Sequence, residues 1–272
     1  MSALALDLPR PRRTKLLLSP PVLRVLSGAV LAIVWEIAGR KFPESASYPS
    51  AIFAAAYDSF ASEVAPAFRD TLASFALGFG VSILAGTLIG LLMARSRLVD
   101  LVLNPYVYAL YATPRLALIP VMIIWLGVDF NLRVGVVIVS GIFPVIVNTY
   151  LGAKEVDRDL LDVGDAFAAT SFQKLRSIVI PAALPFIYAG VRIGMGRALI
   201  GTIVAEIEAA TAGVGKLMKD SANALDMAGL LVPIILLGLL SIALTRIIRE
   251  LELRSVMPWL RKRSTPLVEQ GA

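Results

Sequence analysis

Apolar residues fall along this chain in long runs, and most of the charged residues gather in the short intervals between them. A run of roughly 18 or more residues with few charges is long enough to cross a bilayer as a helix. Six spans follow from this rule: 22–38 (VLRVLSGAVLAIVWEIA), 72–94 (LASFALGFGVSILAGTLIGLLMA), about 103–126, about 134–150 (VGVVIVSGIFPVIVNTY), 186–205 and 229–248. Proline and glycine inside them are tolerated, because neighbouring spans satisfy the backbone groups they free. In the second span, Gly78, Gly80, Gly86 and Gly90 include a small-xxx-small pair at 86 and 90, which predicts a close helix contact. Between the first two spans, YPSAIFAAAYDSFASEV has the apolar spacing of a short amphipathic helix near the outer interface, whose expected role is packing.

One interval differs from the rest. Residues 151–185 carry acids, bases and two prolines, yet keep a helical pattern. Asp157 or Asp159 is placed to cap a helix with apolar positions at Leu160, Val163, Phe167 and Ala168. Thr170 with Gln173 three residues on forms a capping box for a second short helix, expected to end before Pro181. The segment is therefore read as a helix, a bend and a helix.

Composition fixes the class. The chain is 57% hydrophobic with a mean hydropathy of +0.78, which points to a polytopic all-α integral membrane protein. With the N-terminus inside, sixteen lysines and arginines fall on the cytoplasmic side. They are Arg10, Arg12, Arg13, Lys15, Arg95, Arg97, Lys154, Arg158, Lys174, Arg176, Arg246, Arg249, Arg254, Arg261, Lys262 and Arg263. Six fall outside (Arg40, Lys41, Arg69, Arg133, Lys216 and Lys219), and four (Arg24, Arg115, Arg192 and Arg197) fall within spans. That asymmetry places both termini in the cytoplasm, and the net charge of +6 reports topology rather than nucleic-acid binding. The basic start RPRRTK also fits a cleaved signal peptide, but the apolar run after it is long and no small-x-small site closes it. The last nine residues, STPLVEQGA, read as a frayed tail.

The absence of cysteine and histidine excludes disulfides, thiolate or imidazole metal sites and a Ser–His–Asp set. GVGKL at 213–217 matches part of a phosphate loop but has Leu217 where Ser or Thr is required, and no nucleotide site is assigned. The 151–185 segment holds Lys154, Arg158, Lys174 and Arg176 against Glu155, Asp157, Asp159, Asp162 and Asp165. Such a balance gives no attraction to an anionic leaflet, so a protein partner is expected there.

Ionisable groups inside a bilayer are costly and are read as functional. Counted from Phe186, Arg197 lies about 16 Å into its span, near the midplane, and Arg115 reaches a similar depth counted from Leu103. Two guanidinium groups at that depth would make a transit site for an anion. The alternative is that each pairs with backbone carbonyls or with Glu206, near the outer end of the fifth span. Pro114, Pro120 and Pro144 are expected to break the third and fourth spans close by. Asn148 is read first as an interhelical hydrogen-bonding group and second as a pathway residue.

The sequence LLDVGDAFAATSFQKLRSIVIPAALPFIYAG resembles the signature loop of bacterial ABC-importer permeases, whose form is E-A-A, three residues, G, then I-x-L-P. Asp162 matches the glutamate, Val163 and Gly164 the alanines, Ala168 the glycine, and Ile178, Ile180 and Pro181 the last element. The resemblance implies that the first helix of the loop docks in a cleft of an ATPase subunit. The coupling residues would then be Leu160, Asp162, Val163, Gly164, Asp165, Ala166, Phe167, Ala168 and Phe172. Alanine takes the left-handed conformation at a cost, so the bend is expected to stay helical at 168 or move to 170–171.

ATPRLALIPVMIIWLGV, IFPVIVNTYLGAKEVDRDLL, AGVRIGMGRALIGTIVAEI and ATAGVGKLM are similar to stretches of the nitrate/sulfonate/taurine importer subfamily. The likeness covers about 70–255. It implies the type I ABC importer permease fold with about six transmembrane helices, in the bacterial inner membrane. The implied partners are a second permease copy, two ATPase subunits holding ATP and Mg²⁺, and an extracytoplasmic substrate-binding protein. The implied cargo is a small, anionic solute such as nitrate, a sulfonate or taurine, or a related organic compound. No cofactor or metal is expected on this chain. Its layout is then a basic tail (1–21), a first helix with the outer segment (22–69), a core (70–255) with the coupling loop (151–185), and a C-terminal tail (256–272). The competing reading is an ion-coupled carrier or channel acting alone. It predicts mid-membrane acids or histidines, whereas the sequence offers only Glu36 and Glu206 near span ends.

Overall fold

The computed structural model describes residues 20–42, 47–209 and 211–263. The N-terminal tail through residue 19, any cleavage site in it, and the tail at 264–272 lie outside the described residues. Among the described residues there is no β-strand. Five helices are long and apolar enough to cross a membrane, and a bent pair brings the number to six if it counts as one span.

Helix α1 (Pro20–Lys41) is apolar and exposed along most of its described length. Its C-terminal end is tied to α2 (Pro49–Ser59) by Glu36, which accepts from the Ser50 backbone N–H at 3.0 Å and the Ser50 hydroxyl at 2.7 Å. Tyr48 supplies no side-chain cap, so a carboxylate from another helix satisfies an amide left open at the start of α2. Helix α2 is not the separate surface helix that its sequence predicts. A π-helical turn at Phe60–Val64 carries it without a break into α3 (Ala65–Arg95), giving 47 continuous helical residues. The helix therefore runs on through residues 69 and 70. Ile52 and Val64 bury themselves against Val232, while Phe53 and Tyr57 face outward.

The centre of the molecule is a three-helix packing of α3, α6 (Phe130–Lys154) and α9 (Ile180–Ala209). Phe75 and Phe79 stack at 5.4 Å, and Val137, Val145, Val191 and Met195 close around them. The predicted glycine contact is present. A Cβ on Gly86 would fall 2.8 Å from Val145 Cβ, and one on Gly90 would fall 2.7 Å from the Ile146 carbonyl oxygen. Gly80, one face away, has open space around it. Pro144 does not interrupt α6, which passes through it as one helix.

The third span, in contrast, is broken more sharply than a straight run at 103–126 implies. Helix α4 (Arg97–Ala112) stops at Thr113, and a 3₁₀ turn (Arg115–Leu118) leads into α5 (Ile119–Leu126), with a 94° bend between the two halves. The cause is local: Pro114 forces Thr113 into extended backbone (φ −67°, ψ 139°). A depth for Arg115 counted along a straight helix does not survive this bend.

After α6 come α7 (Arg158–Ala166) and α8 (Ser171–Lys174), then a π turn (Leu175–Val179) that merges into α9. Asp157 caps α7, and the Thr170–Gln173 capping box forms as expected. The second helix does not end before Pro181, because it is the first part of a helical stretch from Ser171 to Ala209. Ala168 also differs from expectation: its φ is +51°. Its N–H donates to the Asp165 carbonyl, and that of Ala169 donates to the Gly164 carbonyl, both at 2.9 Å. That is a Schellman cap with alanine where glycine is favoured. Its two backbone bonds satisfy carbonyls at the helix end and offset a steric cost of about 1–2 kcal/mol. Ala168→Gly should therefore stabilise the cap by about 1 kcal/mol. Amide exchange in 158–169 should slow roughly fivefold, and unchanged or faster exchange would show that the cap is not strained.

Helix α10 (Val214–Asn223) precedes the long α11 (Met227–Arg263). Arg192 on α9 forms an ion pair with Glu252 on α11.

Candidate functional site

The break after α4 decides where the third-span arginine goes. Thr113 and Pro114 leave the helical path, so Arg115 emerges beside the wall of α9 rather than continuing along α4. There it meets Arg197. Both guanidinium groups lie over the ring of Tyr111, at 5.6 Å for Arg115 and 4.7 Å for Arg197. Arg115 and Arg197 line one cavity of about 270 Å³ together with Thr113, Pro114, Ser140 and Ile200. Among the described residues, no carboxylate forms an ion pair with either arginine. The Nη1 of Arg115 is buried and has no hydrogen-bond partner. The site is thus a pair of half-buried cations with donors to spare, in a small open recess between the broken third span, α6 and α9. Tyr111 was absent from the sequence candidates. The four-residue spacing from Tyr111 to Arg115 would put ring and cation on one face only of a continuous helix, and α4 ends at Ala112, so the shared ring comes from the break and from α9.

Glu206 lies elsewhere. It is fully buried, and its carboxylate accepts from the Thr71 hydroxyl at 2.9 Å and from the Gly215 backbone N–H at 2.9 Å. Arg133 Nη1 is 3.9 Å from the Glu206 carboxylate. Counting loops assigned Arg133 to the outer surface, yet it is buried and lies over the Phe130 ring at 5.5 Å. The partner of Glu206 is therefore Arg133 rather than either cavity arginine. The glycines of GVGKL make room for this node, because a Cβ on Gly213 (φ +92°) would fall 2.2 Å from Glu206 Cδ. Asn148 donates from Nδ2 to the Pro144 carbonyl at 2.8 Å, inside its own helix rather than across to another.

The coupling segment forms a separate cluster. Gly164 is buried and turned toward Lys174 and Ile178, where a Cβ would touch Lys174 at 3.1 Å. Lys174 also bonds Asp165 at 2.7 Å, which fixes α7 back onto α8. That arrangement turns Val163, Phe167 and Phe172 outward, with Phe167 83% exposed. Asp162 and Ala166 are exposed beside them, and Leu160 is half-buried. Two contacts tie this segment to the long helices. Arg95 Nη1 at the end of α3 donates to the Ser171 carbonyl at 3.3 Å. At the end of α6, Tyr150 donates to Asp100 at 2.8 Å, and Lys154 reaches the same oxygen at 2.7 Å. Asp100 lies in the first turn of α4, the helix that ends at the cavity.

Comparison with known proteins agrees with this arrangement. Residues 86–255 match the family described as "Binding-protein-dependent transport system inner membrane component". The chain is 31% identical to the formylaminopyrimidine transport permease protein ThiX of Halalkalibacterium halodurans, over 86% of this chain and 94% of that protein. It is 28% identical to the nitrate import permease protein NrtB of Synechocystis sp., over 89% of this chain and 94% of that one. In three dimensions it resembles a chain of the inward-facing MetNI methionine ABC transporter, with a TM-score of 0.56 and 18% identity over 67% of this chain and 93% of that one. The last likeness concerns the fold. On these findings the chain belongs to the binding-protein-dependent transport system inner membrane components, and it is an ABC importer permease.

Proposed function

We propose that this permease carries a small anion between Arg115 and Arg197, and that ATPase subunits drive it through the 158–172 segment. The observation that carries this reading is the meeting of two unpaired arginines at one cavity. Two half-buried cations close together, one with a buried Nη1 that has no hydrogen-bond partner, are costly, and a transient anion relieves that cost with charge-assisted hydrogen bonds. The names of related permeases include nitrate, aliphatic sulfonates and taurine, solutes that carry oxyanion groups, beside formylaminopyrimidine, which carries none.

The core at 70–255 would form the pathway with a second copy of the chain, and 22–69 would flank it. The excess of lysine and arginine on one side supports a cytoplasmic position for both termini and the coupling segment. There Leu160, Val163, Phe167 and Phe172 offer an apolar surface, with Asp162, Asp165 and Ala166 alongside, to each of two ATPases. ATP and Mg²⁺ are held by those subunits. A binding protein delivers the solute on the outer side. The Arg95–Ser171 and Asp100–Lys154 contacts would pass a displacement of α7 to α3 and α4, and so to the cavity wall.

The test is uptake by proteoliposomes holding the permease, its ATPase and its binding protein. The solute supplied is the one that calorimetry finds on the binding protein. Arg197→Gln should lower uptake about a hundredfold or more while assembly and basal ATP hydrolysis persist. Uptake at the normal rate would remove Arg197 from the pathway.

A further inference from the structure

We infer that Tyr111 sets the charge preference of the pathway by holding Arg115 and Arg197 together as one anion receptor. This rests on the reading of the cavity as the pathway. Two guanidinium groups repel each other, and in a low-dielectric site that repulsion is weakly screened. A carboxylate between them would relieve it but would also cancel charge and occupy donors. An aromatic ring attracts each cation through its quadrupole and adds no charge. Both groups approach one ring here, at 4.7 and 5.6 Å, and Arg115 keeps a buried Nη1 without a partner. The pair therefore stays doubly positive, stays gathered at the cavity, and keeps donors available for a solute oxyanion. Tyr111 is a positioning residue in this scheme. It stands in the last turn of α4 before the break, whereas Arg197 stands on α9, so a tilt of α4 moves the ring relative to Arg197.

The chain contains no cysteine, so a single introduced thiol is the one thiol that the sequence presents, and labelling is read on the separated permease band. Ile200→Cys lies on the cavity wall and its site is 59% exposed. The permease–ATPase complex in lipid nanodiscs is treated with two methanethiosulfonates, one bearing a 2-sulfonatoethyl group and one a 2-trimethylammonioethyl group. Their rates are compared with those on a free thiol. The anionic reagent should be favoured. Tyr111→Leu should reduce that preference about tenfold, and Tyr111→Phe should retain it. Phenylalanines of increasing fluorination at 111 keep the shape of the ring while weakening its π cloud, so they separate charge placement from packing. The preference should fall stepwise across that series.

Each result decides something. A preference unchanged in both Tyr111→Leu and the fluorinated series, but lost in Arg197→Gln, overturns the role of Tyr111 and leaves the anion pathway standing. If Tyr111→Leu fails to assemble, the fluorinated series alone decides. No anionic preference in Ile200→Cys itself would overturn the pathway reading, and this inference with it.

Discussion

Replacing Glu206 with alanine is expected to destabilise the permease by about 3–5 kcal/mol, the range for removing one member of a buried charge pair. The carboxylate is fully buried and accepts from Thr71 and from the Gly215 N–H while facing Arg133. The Thr71 hydroxyl in turn accepts from the Val214 N–H at 2.9 Å. Helix α10 begins at Val214, so the node satisfies two of its open amides from α9 and α3. Alanine would leave the Gly215 N–H and the Thr71 hydroxyl without their acceptor and Arg133 without a counter-charge in the interior. Glu206→Gln keeps the shape and one acceptor, so it should cost less, on the order of 1–3 kcal/mol. Chemical unfolding of the purified protein, followed by tryptophan fluorescence, measures both. An alanine variant within about 1 kcal/mol of the parent would mean that the node is dispensable.

The second large effect is expected at the coupling segment. Phe167→Ala should weaken ATPase association by about 2–4 kcal/mol, or roughly 30- to 1000-fold, as truncation of an aromatic anchor does in protein interfaces. The fold should be unaffected. Phe167 is 83% exposed, and the cap that ends α7 is made of backbone bonds from Ala168 to Asp165 and from Ala169 to Gly164. Co-purification of the ATPase with the variant reads the effect directly. An ATPase retained at the parental level would move the docking surface elsewhere.

The long apolar runs made the number and order of the spans legible, because burial in lipid leaves little freedom in composition. Local chemistry also read well where it was short-range, as in the capping box at Thr170 and Gln173. Three features did not, and for two of them a partner far along the chain decides the outcome. Arg133 reads as a loop charge until α9 brings Glu206 beside it. The left-handed Ala168 contradicts its own preference because α7 ends in a two-bond cap. Tyr111 gains its significance only when the proline break swings Arg115 toward Arg197. The converging arginines themselves were legible, since ionisable residues in apolar spans are rare enough to single out.

The most direct test of a pathway powered by a separate motor is solute accumulation in proteoliposomes with the binding protein outside and ATP inside. The parent should accumulate solute only when the ATPase is present, and Phe167→Ala should accumulate little. Accumulation by the permease alone down an ion gradient, or full activity of Phe167→Ala, would contradict it.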